Sequence, residues 1–190
     1  VFTTSLLTVG FVWWEKQDGL PRKLRISKIS KKLKKYIWYI SIIVLIQLMI
    51  GAYLSTSYHR AACNIGFYEG WPLCQSSVLP ALKQFGIMLN YGHRVSAVVV
   101  GALLLYVERE ANSEFKDSKA IVKVMLKTAG IIYFINILLG GLYVVTAVDG
   151  IFLGWLSLLH LLVGVCVFLT LATTYLLINI SEQEVNNVSN

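Results

Sequence analysis

The sequence predicts an all-α integral membrane protein: a four-helix bundle with the end of a preceding transmembrane helix at its N-terminus. Three observations carry that class. Hydrophobic residues make up 56% of the chain and charged residues 14%, where a soluble domain carries about 25% charge. Four apolar runs each reach the ~20 residues that cross a bilayer core. The basic residues gather in the segments between those runs rather than spreading over the chain. Backbone polar groups must be satisfied within each run, so the runs are helices.

The opening VFTTSLLTVGFVWW (1–14) is apolar but shorter than a span. Its positive charges follow it, whereas a signal peptide carries them in front. It is expected to be the tail of a transmembrane helix that starts before Val1, the alternative being a short re-entrant or interfacial segment. On the first reading this chain is the C-terminal part of a longer protein. Residues 15–35 hold nine of the seventeen Lys and Arg residues. Between membrane spans such a run reads as a cytoplasmic flanking loop, not as a nucleic-acid contact.

The first span is expected at Tyr36–Leu54, the second at Ile87–Val107, the third at Thr128–Val148 and the fourth within Ile151–Ile180, which has no formal charge. The segment from Glu108 to Lys127 holds five basic residues, and the one from Ser55 to Gly86 only Arg60 and Lys83. The Lys/Arg bias therefore puts the N-terminal basic loop, the Glu108–Lys127 loop and the C-terminus in the cytoplasm of a multi-pass cell-membrane protein. The Ser55–Gly86 loop and the tight turn at Asp149–Gly150 lie outside. The bundle is taken as residues 36–180, and 181–190, SEQEVNNVSN, as a polar disordered tail. A weak internal repeat aligns Gln47 with Asn136, Gly51 with Gly140 and Ala52 with Gly141. Small residues there let helices approach closely, and the two amide side chains are placed to hydrogen-bond across helices; the alternative is ordinary helix packing with a chance similarity.

Two of the three histidines lie inside spans. His93 sits about 9 Å and His160 about 14 Å below the outer ends of their helices, by helical rise. A shift of a few residues in the span ends brings both imidazoles to one depth on two helices that run inward. Paired neutral imidazoles in an apolar bundle suit a six-coordinate haem, and Arg94 near the outer surface suits a haem propionate. The alternatives are interhelical hydrogen bonds for the histidines and outward snorkelling for Arg94. No Cys-x-x-Cys-His occurs, which excludes covalent c-type attachment. Cys63 and Cys74, in an outer loop where disulfides persist, read as a structural bridge or a thiol relay. Cys166 reads as a small buried apolar residue. LPALKQFG (79–86) reads as a short amphipathic segment along the outer surface that roofs the site.

Taken in order, GAYLSTSYHRAACNIGFYEGWPLC, YGHR, LLGGLYVVT and LHLLVGV resemble the haem A synthase family, the membrane enzymes that oxidise a haem methyl to a formyl, converting haem O into haem A. The resemblance covers about Ile37 to Leu177. It implies two similar four-helix halves, each with a bis-histidine site, although some archaeal members have one half. The N-terminal half of the family carries an essential Glu in Glu-x-x-His-Arg. Here that position is Asn90, so the chain is similar to the C-terminal half, which holds haem B. The resemblance then implies His93 and His160 as iron ligands, a Cys63–Cys74 disulfide, and a haem O substrate site and catalytic Glu outside this chain, in a missing N-terminal half or a second copy. The electron donor or acceptor is left open. A b-type cytochrome subunit exchanging electrons with quinone and a non-enzymatic membrane assembly factor are the competing readings. The paired outer cysteines around Trp71-Pro72-Leu73 argue against the first.

Overall fold

A computed structural model describes residues 26, 29–116 and 120–188, with side chains described as far as residue 182. The expected helix tail at 1–14 and most of the basic loop lie outside the described residues. The described residues form four long helices, α1 Lys31–Thr56, α2 Phe85–Glu114, α3 Ile121–Val145 and α4 Gly154–Val188, and a 3-10 turn at Tyr58–Ala61. Among the described residues there is no strand, only isolated bridges. All four helices are long and apolar enough to cross a membrane.

Each helix packs on two others, so that α1, α2, α3 and α4 close into a ring. Neighbours run antiparallel. Lys32 at the start of α1 pairs with Glu110 near the end of α2, Nζ–Oε2 3.1 Å, while Gln47 late in α1 reaches His93 early in α2. α1 starts where Ser30 accepts a hydrogen bond from the Leu33 amide and binds Glu114 with its own hydroxyl. Side chains buried at helical spacing (Leu33, Ile37, Ile40 and Val44 on α1, Val100, Leu104 and Val107 on α2, Val122, Leu126 and Ala129 on α3, Val167, Leu171 and Ile178 on α4) fill the lysine-bearing half of the bundle. Trp38, Tyr39, Tyr58 and Trp155 are exposed near the two ends, as the aromatic belts of membrane proteins are.

Several boundaries differ from the sequence expectation: α1 starts at Lys31 rather than Tyr36, and α2 runs to Glu114 rather than Val107. α3 starts at Ile121, before the expected Thr128, because interfacial Lys123 and Lys127 continue the helix without lying in the apolar run. α4 continues through Val188, where a disordered tail is expected. Its last turns are held by tertiary polar contacts: Lys34 pairs with Glu182, and Ser181 accepts from the Ile26 amide at 3.1 Å. The Val148–Ile151 turn falls where expected, with Asp149 and Gly150 at positive φ.

The 57–84 loop folds back over the open end of the ring. The Gly66 amide donates to the Val144 carbonyl at the end of α3, 3.1 Å. Gly70 lies so close to the Ile65 backbone that a Cβ would sit 2.6 Å from it. The sulfurs of Cys63 and Cys74 are at bonding distance, with Cα atoms 4.5 Å apart, and both cysteines are buried with Ile87. Residues 79–84 of LPALKQFG are not helical, and its last two residues begin α2 at Phe85. Pro80 supplies no amide and Gln84 makes no side-chain cap. Cys63 and Cys74 should resist thiol alkylation until reduced, and reduction should remove about 2–4 kcal/mol of stability, read by thermal unfolding in detergent. Rapid labelling of both without reductant would exclude the bond.

Candidate functional site

The buried core stops short of the loop end, and there the ring is hollow. A cavity of about 300 Å³ lies between all four helices. Val44, Tyr133 and Val167 form its floor, where it meets the core, and Trp71 and Pro72 of the loop cover its outer side. LPALKQFG contributes nothing to it. The Tyr133 hydroxyl donates to the Ala97 carbonyl at 2.8 Å, so its polar end is satisfied.

His93 from α2 and His160 from α4 both line this cavity. Each ring rests on a glycine of the preceding helix. A Cβ at Gly51 would lie 3.0 Å from His93 Cε1, and one at Gly140 would lie 2.9 Å from His160 Cε1. The residue after the second glycine is also a glycine, Gly141, and the Trp71 ring packs on it, 2.6 Å from where a Cβ would stand. The weak repeat is therefore spatial as well: α1–α2 and α3–α4 present their imidazoles by the same small-residue contact.

Polar support differs between the two. His160 Nδ1 is 2.9 Å from the Asn136 carbonyl. A carbonyl only accepts, so Nδ1 carries the proton and Nε2 keeps its lone pair for the cavity. His93 Nδ1 is buried without a partner among the described residues. Its helix is held instead through the backbone: the His93 carbonyl accepts from Gln47 Nε2 at 2.8 Å and from Ser96 Oγ at 2.9 Å.

Arg94 turns up into the loop. Nη1 donates to the Gly70 carbonyl and, at 2.8 Å, to the Leu73 carbonyl, and Nε donates to Asn90 Oδ1 at 3.0 Å. Nη2 is buried without a partner among the described residues. Asn90 is buried, and its Nδ2 donates to the carbonyls of His59 and Arg60, at 3.2 and 3.1 Å. A glutamate there would accept from Arg94 but could not donate to two carbonyls.

These residues fit a haem. Among the described residues no group of three or more His, Cys, Asp or Glu side chains could hold a bare metal ion. Two imidazoles suit a group that brings four equatorial donors of its own, and the apolar walls suit a macrocycle.

Residues 2–176 match the COX15-CtaA family of cytochrome oxidase assembly proteins. The chain belongs to that family. Among curated COX15-CtaA relatives, the haem A synthase of Shouchella clausii strain KSM-K16 is 26% identical over 106 residues, 56% of this chain and 34% of the relative. The haem A synthase of Alkalihalophilus pseudofirmus strain ATCC BAA-2126 is 32% identical over 77 residues, 40% of this chain and 25% of the relative. The matched stretches thus span about a third and a quarter of the curated relatives. No solved structure matches the chain.

Sequence reasoning about this COX15-CtaA chain placed His93, His160 and Arg94 together, and all three line the same cavity. It missed Asn90 and Trp71 as supports; a polar residue inside an apolar run was the available signal for the first. Asn90→Ala would strip Arg94 Nε and two loop carbonyls of their partner. It should cost about 1–3 kcal/mol and speed proteolysis of the 57–84 loop, whereas Asn90→Asp should recover only the Arg94 contact. Equal protease resistance in wild type and Asn90→Ala would refute this role.

Proposed function

We propose that this chain is the haem B-binding half of a haem A synthase, the enzyme that oxidises a methyl of haem O to the formyl of haem A. His93 and His160 would hold the haem iron, and Arg94 would pair with a propionate. Haem B, when bound, supplies reversible one-electron chemistry. A second four-helix unit, from further sequence or another copy, supplies the haem O site and the catalytic carboxylate. The 57–84 loop faces the extracytoplasmic side, where an electron partner would dock.

What carries the reading is that imidazoles from two parallel helices line the same cavity, each seated on a glycine. His160 offers Nε2 because Asn136 holds the proton on Nδ1. His93 offers its ring through backbone anchoring by Gln47 and Ser96. Trp71 and Pro72 line the cavity on the loop side. Asn90 in place of a carboxylate leaves the site without the acid that substrate oxidation calls for, which fits a cofactor role.

Purified chain should show a low-spin b-type Soret and α-band spectrum. His93→Ala and His160→Ala should each abolish the low-spin form. His160 alone has its tautomer fixed by a backbone carbonyl, so His160→Ala should lose more haem, by about tenfold or more in affinity. An unchanged spectrum in both variants removes the ligand assignment.

A further inference from the structure

The geometry points to Arg60 as a second anion anchor: Arg60 and Arg94 together form a receptor for two carboxylates carried on one edge of an apolar planar ligand. Both arginines line the cavity at its loop end. Among the described residues neither guanidinium forms an ion pair with a carboxylate. Arg94 Nη2 is buried and unpartnered among them. The Arg60 guanidinium carbon stands 5.2 Å from the centroid of the Phe152 ring, which itself packs on Tyr143 at 4.9 Å. That ring face orients the fork without using any of its N–H donors.

The two arginines are tied to one residue. Asn90 donates to the Arg60 carbonyl and accepts from Arg94 Nε, so a single buried amide orients the Arg94 guanidinium and holds the backbone from which the Arg60 side chain extends. The buried, unpaired Nη2 of Arg94 is costly, and the exposed Arg60 guanidinium stands at the same end of the cavity. The ligand that relieves this has an apolar body and two anionic groups on the same side. On the reading proposed above, that ligand is haem B, and its two propionates point toward the loop. Arg60 then fixes which edge of the ring faces outward. The shared chemistry, a guanidinium with an anionic oxygen, also suits a lipid phosphate, and the test separates the two.

The full chain would be loaded with haem B or its dimethyl ester in phosphatidylcholine nanodiscs, and loss of each to excess apomyoglobin followed by Soret absorbance. Wild type should release the ester about tenfold faster than the free acid. Arg60→Gln should speed release of the free acid by a similar factor and leave the ester unchanged. Phe152→Leu, which keeps the charge but removes its platform, should shift the free acid less and in the same direction. Arg60→Gln accelerating both forms equally, or neither, overturns the anchor while low-spin wild-type haem leaves the ligand reading standing. An Arg60 effect seen only when phosphatidylglycerol is added assigns the residue to a lipid headgroup and also overturns it. Wild type that binds no haem at all sinks both.

Discussion

The contact between an imidazole and a glycine, made twice, fixes the rest of the site. At Gly51 and at Gly140 the neighbouring histidine ring stands 3.0 and 2.9 Å from where a Cβ would be, closer than a methyl group tolerates without a shift. Any larger residue at either position would push the ring away or separate the helices. In a bilayer the lipid tails are as apolar as the helix surfaces, so helix association depends on close packing and on polar contacts between helices. The small residues therefore act on association and on ring placement at once. They bring α1 to α2 and α3 to α4, and in doing so they aim both rings into the same space.

The bundle is divided along its length. The lysine-bearing half is packed solid by aliphatic side chains from all four helices, and the loop half is hollow. The packed half can hold the ring of helices together by itself, which leaves the other half free to stay open. The open half still needs a closure, and the 57–84 loop provides it through few but directed contacts. Arg94 holds two of its carbonyls, Asn90 two more, Val144 takes its Gly66 amide, and Trp71 drops onto Gly141. These are long-range bonds between helix and loop, in a low-dielectric setting where an unmade bond is costly.

This division explains what could and could not be read from the chain. Four helices, their order, the tight Asp149–Gly150 turn and the shared position of His93 and His160 follow from hydropathy and helical rise, which are local properties. The continuation of α4 past Ile180 does not, because Ser181 and Glu182 are held by Ile26 and Lys34, distant in sequence. A hydropathy run marks only the part of a helix that meets lipid, so the interfacial turns at Ile121–Lys127 were invisible to it. Arg94 was found because a charge in an apolar run stands out. Arg60 was not, because it sits in an ordinary polar loop and matters only once Asn90 brings its backbone to the cavity.

The two halves of the bundle repeat a pattern but differ in its chemistry. Gln47 and Asn136 occupy equivalent places one turn before the glycine. Gln47 uses its side-chain amide to hold the His93 carbonyl and takes a hydrogen bond from Ser96 at 2.6 Å. At Asn136 it is the backbone carbonyl that meets His160, and the side-chain oxygen is buried without a partner among the described residues. One extra methylene in Gln47 lets its amide reach across to the neighbouring helix backbone; the shorter Asn136 does not make that bond. As a result one imidazole is positioned through its own ring nitrogen and the other through the backbone that carries it. A ring held at Nδ1 has its proton and its tilt fixed, while a ring held only at the backbone can still turn about its side-chain bonds. Two histidines that look alike in sequence are thereby given unequal freedom, and that inequality distinguishes the α1–α2 pair from the α3–α4 pair.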